Sequence, residues 1–348
     1  MWKSEREIRV LVVDDSRQLR ELICAILGPE PGITAVGEAA DGAEAIAKVT
    51  ELKPDVVIMD IEMPVMGGLE AIERIIARRP VPILAMTDGS GVEMAFAAVS
   101  KGALDVMEKR DIGGNAQKLI QKIRLLANVD VQAHHKAMGR SVASPGTGSA
   151  PRPHPAGERI VAIAASTGGP QAIQHILSQL PAGFPAPVVI TQHMAEGFIP
   201  GLVDWLNSCT KLTVAVAGSG DRLAAGQVYV NPAQQAMRVT RQGVIILGER
   251  DPRLLYNPSC DTLLEAVAAA YGERAIGLIL SGMGDDGVLG MQSIRNAGGV
   301  TMAQDEKSSV VFGMNRVAVE RGCIDRSLPL SEIPAELLAL IGRRMTGI

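Results

Sequence analysis

A serine, a histidine and an aspartate follow three apolar segments in the C-terminal half of the chain. Ser166 comes directly after Ile160–Ala165 and before two glycines, His193 ends the next apolar segment, and Asp286 lies in a glycine-rich segment after Ala275–Leu280. A serine hydroxyl is a weak nucleophile until a histidine takes its proton, and a carboxylate is needed to fix the histidine tautomer and stabilise the imidazolium. The three residue types together predict acyl-transfer chemistry through an activated serine.

Each of these residues also has an ordinary structural interpretation. A serine before a glycine turn and a helix is a typical N-cap, so Ser166 could simply cap the helix that follows. His193 could be a capping or hydrogen-bonded core residue, and Asp285 or Asp286 could be turn residues in a glycine-rich loop. The other histidine of this half, His175, lies one turn into a predicted helix, where a surface or packing role is expected.

Glycine-rich turns accompany both the serine and the aspartate. Gly168 and Gly169 allow another part of the chain to come close, and the helix predicted after them offers free N–H groups to an anion. The segment Gly282–Gly287 reads Gly-Met-Gly-Asp-Asp-Gly, and its backbone N–H groups could stabilise an oxyanion.

The N-terminal half presents a second set of polar residues, again where predicted strands end. Asp14 and Asp15 follow the first strand, Asp60 ends the third, Thr87 ends the fourth and Lys109 follows the fifth. Three carboxylates at one sheet edge repel one another, so a hard cation is the natural counter-ion, and Mg²⁺ prefers oxygen ligands. Any one of these residues could be a cap or loop residue, but five of them at five matching strand ends favour a binding site.

The elements that position this second set alternate regularly. Apolar segments and segments of helical periodicity predict five β/α units with short connections, and hence a doubly wound parallel sheet, in a first domain over residues 1–130. The predicted strands are Ile8–Val13, Thr34–Ala39, Val56–Met59, Ile83–Met86 and Asp105–Met107.

The C-terminal half, residues 158–348, predicts a second α/β domain with a mainly parallel sheet. A small antiparallel insert is expected where Met237–Thr240 and Val244–Leu247 flank a short turn. Residues 131–157 between the domains are rich in proline, glycine and serine, which predicts a flexible linker. His134, His135 and His154 fall in that linker and are expected to be solvated.

The amino-acid composition is that of a globular α/β protein and gives no sign of a nucleic-acid-binding or membrane protein. The 348 residues are 47% hydrophobic and 21% charged, which is ordinary for α/β domains, and the net charge of −4 gives no reason to expect nucleic-acid binding. No apolar segment is long enough to enter a membrane, and the N-terminus lacks a signal region, so a cytoplasmic location is expected. The four cysteines show no metal or disulfide spacing and are expected to be buried thiols.

The N-terminal domain resembles a response-regulator receiver domain, a flavodoxin-like fold, on the strength of Asp14-Asp15, the segment around Asp60, Thr87 and Lys109. The resemblance implies that Asp60 accepts a phosphoryl group from the phosphohistidine of a histidine kinase. It also implies that Thr87 and Lys109 bind the phosphoryl oxygens. The implied Mg²⁺ ligands are Asp14, Asp15, Asp60 and the Glu62 carbonyl.

The second domain, a Rossmann-like α/β fold, resembles the catalytic domain of chemotaxis protein-glutamate methylesterases of the CheB type. The motifs that carry the resemblance are Ala165–Pro170, Thr191–Met194, Pro258-Ser259 with Asp261, Ser281–Gly287, and Ala303–Glu306 with Ser309–Met314. The resemblance implies Ser166 as nucleophile, His193 as general base and Asp286 as orienting carboxylate, with Thr167 and Met283 lining the site. The implied activity is hydrolysis of glutamyl methyl esters and deamidation of glutamines on chemoreceptors, with no cofactor in the esterase site.

Five positions depart from these family patterns. Arg110 replaces the usual proline after the receiver lysine, and Val106 stands where many receivers carry an aromatic residue. Ala195 and Asn315 replace prolines, and Ala236 lies where a histidine is usual. None of them is a predicted catalytic residue, so they bear on switching and on substrate fit.

Two other functions remain open from the sequence. A phosphorylation-switched binding module without catalysis is disfavoured by the intact serine, histidine and aspartate positions. A receiver-driven transcription factor is disfavoured because the second domain has no basic recognition helix and has too many strands.

Overall fold

The computed structural model describes residues 7–88, 92–114, 116–132, 159–250, 253, 256 and 258–342. The described residues form two compact units, one up to Gln132 and the other from Arg159 onward. Apart from its first two residues, the predicted linker lies outside the described residues, as do its three histidines. In the described part of the chain, no helix is both long enough and apolar enough to cross a bilayer.

The first unit contains a five-stranded parallel sheet of order β2-β1-β3-β4-β5, which confirms the predicted doubly wound fold. Its strands are β1 (Ile8–Val13), β2 (Ile33–Ala39), β3 (Val56–Asp60), β4 (Ile83–Thr87) and β5 (Asp105–Glu108). Its helices are α1 (Arg17–Leu27), α2 (Gly42–Leu52), α3 (Gly68–Arg78), α4 (Val92–Ser100), α5 (Arg110–Gly114) and α6 (Ala116–Leu126).

The order of these strands explains where the polar residues meet. The strands β3 and β4 are buried along their whole length, so only their ends are available to carry polar chemistry. The chain leaves β1 for β2 on one side and continues to β3 on the other, and ligands bind at such a switch point, beyond the carboxyl ends of the strands. Asp14 and Asp60 lie on the two sides of that point.

Val65, in the loop that follows β3, has a strained backbone. Val65 adopts φ +67° and its side chain is 93% exposed. This left-handed conformation is unfavourable for a β-branched residue. The loop that follows Asp60 therefore holds a conformation that its own sequence does not favour locally.

The second unit contains a seven-stranded parallel sheet of order β14-β13-β12-β6-β7-β9-β8. Its strands are β6 (Ile160–Ala165), β7 (Val188–Gln192), β8 (Thr213–Val216), β9 (Gln227–Val230), β12 (Ala275–Ile279), β13 (Val300–Gln304) and β14 (Arg326–Leu328). A separate antiparallel hairpin, β10 (Ala236–Val239) with β11 (Ile245–Gly248), confirms the predicted insert. The helices are α7 (Gly169–Ser178), α8 (Phe198–Cys209), α9 (Cys260–Tyr271), α10 (Val288–Asn296), α11 (Met314–Glu320) and α12 (Ile333–Gly342), with short 3-10 turns at Gly272–Arg274 and Leu330–Glu332.

The three central strands of this sheet carry the predicted site. β6 lies between β12 and β7, and all three are buried along their whole length. The chain proceeds from β6 to β7 on one side and later returns to β12 on the other, so the switch point lies between β12 and β6. The predicted serine, histidine and aspartate follow the carboxyl ends of these adjacent strands.

The C-terminal part of the second unit differs from the sequence analysis, which assigned no element after β13. It contains α11, β14 and α12. β14 has three residues and α11 has seven, and both are too short for a periodic apolar pattern to develop. α12 has ten residues, so this reason does not apply to it.

Candidate active site

Ser166 is fixed by backbone hydrogen bonds that continue the sheet one residue beyond β6. Its N–H donates to the Ser281 carbonyl at 3.0 Å, and on the other side the His193 N–H donates to the Ala165 carbonyl at 2.9 Å. The Ser166 carbonyl accepts the N–H of Gly169 at 2.8 Å, which makes a tight turn into α7. The serine thus begins a turn whose backbone is anchored to both neighbouring strands.

His193 and Asp286 form the central contact of the site. The Nε2 atom of His193 lies 2.7 Å from Oδ2 of Asp286, and both side chains are largely buried. The other ring nitrogen, Nδ1, is buried and has no hydrogen-bond partner among the described residues. A neutral imidazole that donates Nε2–H to the carboxylate keeps its lone pair on Nδ1, where it can accept a proton.

Asp286 is held by donors from the start of α9. Oδ1 accepts the Ser259 hydroxyl and the Asp261 N–H, each at 3.0 Å, and Oδ2 accepts the Cys260 N–H at 2.7 Å. Burial acts to raise the pKa of the Asp286 carboxyl, but the hydrogen bond and charge of His193, together with these backbone donors, lower the pKa overall. Asp286 therefore stays ionised beside the imidazole.

Two buried polar side chains, which the sequence analysis did not single out, brace the serine turn. Gln192 donates Nε2–H to the carbonyls of Ser166 and His193, at 2.8 and 3.0 Å. The hydroxyl of Ser281 donates to the Thr167 carbonyl at 2.7 Å and accepts the Val311 N–H. Gln192 is next to His193 in the motif Thr191–Met194, and Ser281 begins the motif that contains Asp286, so these motifs carried the only available signal.

Close packing around Ser166 depends on glycine at two positions. A Cβ on Gly282 would lie 2.6 Å from the Ser166 Cβ, and one on Gly169 would lie 2.1 Å from Gln192 Oε1. Real Cβ atoms essentially never approach other heavy atoms so closely. The close chain approach predicted at Gly169 is therefore present in the structure, and Gly282 shows a second one that was not predicted.

Tyr256 and Cys260 complete the surroundings of the histidine ring. The Tyr256 ring stacks on the His193 ring with centroids 4.9 Å apart and an interplanar angle of 5°. Cys260 Sγ lies 3.4 Å from His193 Nε2, and burial, followed by the charge of Asp286, raises the pKa of this thiol well above its ordinary value.

The nitrogen, sulfur and oxygen atoms of His193, Cys260 and Asp286 lie within 4.8 Å of one another, a spacing that could hold a metal ion. A metal needs the thiolate and a free carboxylate oxygen. In the structure the three side chains contact one another: His193 Nε2 lies 2.7 Å from Asp286 Oδ2, which also accepts the Cys260 N–H, and Cys260 Sγ lies 3.4 Å from His193 Nε2. We therefore interpret the cluster as a hydrogen-bonded histidine.

In the first unit, Lys109 joins two of the predicted carboxylates. Its ammonium lies 3.0 Å from Asp14 Oδ2 and 2.8 Å from Asp60 Oδ2, and both aspartates are buried. The pKa of Asp60 is raised overall to about 6: burial is the main cause and the Asp14 charge adds to it, while the Lys109 hydrogen bond and charge act to lower the pKa. Burial lowers the pKa of Lys109, but its hydrogen bonds and charge interactions with the two carboxylates raise it overall.

The donor set of this second site fits a hard cation. Carboxylate oxygens of Asp14, Asp15 and Asp60 lie within 4.8 Å of one another, and all potential ligands are oxygen atoms. Thr87 is buried at the end of β4, and the Glu62 N–H donates to Asp60 Oδ1 at 3.2 Å, which places the Glu62 peptide beside the carboxylate. All six predicted receiver-site residues thus follow or end the strands β1, β3, β4 and β5.

Comparison with known proteins assigns each unit to a known domain family. Residues 161–337 match the CheB methylesterase family, and residues 10–124 match the response regulator receiver domain family. The chain belongs to the CheB methylesterase family. It is 44% identical to a protein-glutamate methylesterase/protein-glutamine glutaminase of Paramagnetospirillum magneticum over 97% of both chains. It is 42% identical to one of Anaeromyxobacter dehalogenans, over 97% of this chain and 98% of that one.

A solved structure of the CheB methylesterase family also matches the second unit. The crystal structure of the Thermotoga maritima CheB methylesterase catalytic domain has a TM-score of 0.51 and 36% sequence identity, and it covers 53% of this chain and 99% of that chain. These comparisons confirm the family that the sequence motifs indicated.

The structure accounts for two of the departures from the CheB family pattern. Asn315 is fully buried, and its Nδ2 donates to the Gln304 carbonyl at 2.9 Å and to Ser309 Oγ at 2.8 Å, bonds that proline could not make. Arg110 forms an ion pair with the buried carboxylate of Glu108. Nothing in the structure explains Val106, Ala195 or Ala236.

Proposed function

We propose that this CheB methylesterase hydrolyses glutamyl methyl esters and deamidates glutamines on chemoreceptors, at a rate set by phosphorylation of its receiver domain. The observation that carries the proposal is the 2.7 Å contact between His193 Nε2 and Asp286 Oδ2 at the sheet edge where Ser166 is anchored. Family membership and the names of the two closely related proteins described above support the choice of substrate.

In the proposed first step, the Ser166 oxygen attacks the ester carbonyl carbon while His193 Nδ1 takes the hydroxyl proton. The tetrahedral intermediate then collapses, the carbon–oxygen bond to the methoxy group breaks, and the imidazolium returns the proton so that methanol leaves. A glutamyl-seryl ester remains. Water attacks this ester by the same proton transfers and releases the glutamate carboxylate and the free serine.

Deamidation follows the same path with ammonia as the leaving group in place of methanol. The proton returned by His193 is then needed to convert the amide nitrogen into a viable leaving group. In both reactions Asp286 keeps the Nε2–H tautomer and stabilises the imidazolium. Its own ionised state is maintained by the Ser259 hydroxyl and the N–H groups at the start of α9.

We assign stabilisation of the oxyanion to the backbone N–H groups of Thr167 and Met283. The Gly282 N–H donates to the Val311 carbonyl, and the Gly287 N–H donates to Asp261, so neither is available. Among the described residues, the N–H groups of Thr167 and Met283 have no backbone acceptor, and neither do those of Gly284, Asp285 and Asp286 in the same loop. We choose Thr167 because it follows the proposed nucleophile and Met283 because the family resemblance places it in the lining of the site. A donor from the residue after the nucleophile and one from a neighbouring loop form an oxyanion hole in other serine hydrolases.

The receiver part of the proposal assigns Asp60 as the phosphoryl acceptor, with a histidine kinase of the chemotaxis type as donor. Asp14, Asp15, Asp60 and the Glu62 carbonyl would hold Mg²⁺, which supplies neutralisation of phosphoryl charge when bound. Lys109 already faces Asp60, and Lys109 and Thr87 would contact the phosphoryl oxygens. The same proposal places the reaction in the cytoplasm, where the receptor glutamates and the kinase meet the enzyme.

The experiment is methanol release from methylated receptor membranes, with and without a small-molecule phosphodonor. The wild-type chain is expected to release methanol faster with the phosphodonor, and Asp60→Asn is expected to abolish that stimulation only. Ser166→Ala is expected to lose on the order of 10³-fold or more of the activity while still accepting phosphate on Asp60. Wild-type turnover by Ser166→Ala would refute the serine mechanism.

A further inference from the structure

Asp261, a residue of α9 that the reaction does not use, bonds to the segment that carries Asp286. Its Oδ1 atom accepts the Gly287 N–H at 2.9 Å and the Gly290 N–H at 2.8 Å. Gly287 precedes the first residue of α10, so both N–H groups belong to the start of that helix. N–H groups at a helix start have no acceptor within the helix, and Asp261 supplies one for two of them.

The bonding between the two helix starts is reciprocal. Asp286, one residue before Gly287, accepts the N–H groups of Cys260 and Asp261 at the start of α9. Each helix start therefore receives a carboxylate from the segment at the start of the other. Asp286, which contacts His193, is therefore held in two ways. It accepts N–H groups from the start of α9, and Asp261 accepts the N–H groups of Gly287 and Gly290 in the turn that follows Asp286.

α9 and α10 must lie very close for these reciprocal hydrogen bonds to form. A Cβ on Gly290 would lie 2.4 Å from the Leu264 Cβ, so only glycine permits the approach that brings the Gly290 N–H to Asp261. Gly287 adopts φ +102°, a conformation that L side chains rarely adopt. The backbone on either side of these acceptor bonds is therefore specialised for this contact.

We propose that Asp261 is a positioning residue for the catalytic reaction, which fixes Asp286 against His193 through the exchange of carboxylates between the starts of α9 and α10. The inference rests on the proposed serine mechanism, because Asp261 acts through Asp286 and touches no reacting atom.

Asp261 performs this positioning role by accepting hydrogen bonds, and its negative charge is not needed for it. A single oxygen of Asp261 accepts both N–H groups, so an asparagine carbonyl oxygen can replace it. A leucine has nearly the same shape and accepts nothing. Asp261→Asn and Asp261→Leu therefore form a matched pair that separates acceptance from shape and charge.

The full-length chain is used, with kcat and KM measured separately on methylated receptor membranes. Asp261→Leu is expected to lower kcat by about 10- to 100-fold with KM within about threefold, since small displacements of catalytic groups reduce rates by such factors. Asp261→Asn is expected to remain within about threefold of wild type. If Asp261→Leu does not fold, Asp261→Ala takes its place with the same expectation.

Asp325→Leu is the matched structural control. Asp325 Oδ2 accepts the N–H and the hydroxyl of Thr301, both at 2.9 Å, near the amino end of β13 and hence at the sheet edge opposite Ser166. This variant is expected to lower the thermal unfolding midpoint with kcat within about twofold of wild type. A general loss of stability is thereby distinguished from misplacement of the triad.

A double-mutant cycle supplies the decisive readout. Because Asp261 acts through Asp286, Asp261→Leu is expected to change the residual rate of an Asp286→Ala background by less than about twofold. An equal loss in both backgrounds would overturn the inference, as would an Asp261→Leu chain with kcat within twofold of wild type while Ser166→Ala is inactive. An active Ser166→Ala chain would instead overturn the proposed function and the inference with it.

Discussion

His193 presents Nε2, and not Nδ1, to Asp286, at 2.7 Å. With a proton on Nε2, the lone pair of the ring lies on Nδ1, which in the proposed mechanism takes the Ser166 proton. The group that faces Nε2 therefore determines which ring nitrogen carries the proton. A carboxylate is required there because an ionised carboxylate can only accept a hydrogen bond.

Asp286→Asn tests this tautomer argument. An asparagine can fill the same space but can present its NH₂ group to Nε2, which moves the proton to Nδ1 and blocks general-base catalysis. We expect kcat to fall on the order of 10³- to 10⁴-fold, as in other serine triads. Methanol release from methylated receptors is the measurement.

The neighbouring carboxylate provides the control for that substitution. Asp285 is 64% exposed at its side chain and lies 3.9 Å from Arg321. Asp285→Asn is expected to keep kcat within about twofold of wild type. A larger effect at Asp285 than at Asp286 would mean that the orienting carboxylate had been assigned to the wrong residue.

Gly282→Ala is expected to damage the nucleophile without removing any catalytic group. The added Cβ would lie 2.6 Å from Ser166 Cβ and 2.4 Å from Met314 Sδ, so Ser166 must move. We expect kcat to fall by about 10²-fold or more with the fold retained in circular dichroism. Gly183→Ala, where no atom lies within 4 Å of the added Cβ, should leave the rate unchanged.

The stability of the catalytic unit should depend on pH through Asp261. The pKa of its carboxyl is raised overall to about 6: burial is the main cause, the charges of Asp286 and Glu265 also raise the pKa, and the Gly290 and Gly287 N–H groups lower it. Because this pKa is above its unfolded value of about 3.9, the protonated form favours folding. The stabilisation is complete below that unfolded value and is lost as the pH rises through 6.

Asp261→Asn removes this titration. Relative to wild type, the free energy of unfolding of the Asn variant is expected to rise by about 2 kcal/mol between pH 4.5 and pH 8. Urea unfolding of residues 158–348 at the two pH values measures the difference. The same pH dependence in both proteins would show that Asp261 does not titrate in this range.

Metal dependence should separate the two sites. Chelation with EDTA is expected to abolish phosphorylation of Asp60, and with it the stimulation of the intact chain, because the carboxylates of Asp14, Asp15 and Asp60 need a cation to receive phosphoryl charge. A fragment of residues 158–348 is expected to hydrolyse methyl ester at an unchanged rate in the same buffer. Loss of its activity in EDTA, with recovery on adding a divalent ion, would instead identify His193, Cys260 and Asp286 as metal ligands.

The sequence predicted the architecture because the central strands of both parallel sheets are buried, so they are continuous apolar segments with polar residues only at the ends. That rule brought Ser166, His193 and Asp286 to one edge without any knowledge of contacts. It could not show that β12, β6 and β7 are neighbours, because strand order depends on crossovers and not on local pattern.

The residues that brace the site were harder to predict for a different reason. Gln192, Ser281 and Asp261 act through hydrogen bonds to backbone groups distant in sequence, and nothing in their local sequence distinguishes such a side chain from an ordinary polar one. Val65 was missed likewise, because its positive φ is imposed by the loop around it and is disfavoured by its own side chain.

The adjacency of β12, β6 and β7 makes the active site a reporter of folding. His193 and Asp286 are separated by 93 residues in sequence and meet only when the centre of the sheet has assembled. By the proposed mechanism, a partly folded chain with its helices formed but its sheet incomplete would lack an activated serine. Covalent labelling of Ser166 by a fluorophosphonate probe would therefore count native molecules directly, and its rate of recovery during refolding would time the closure of the central strands.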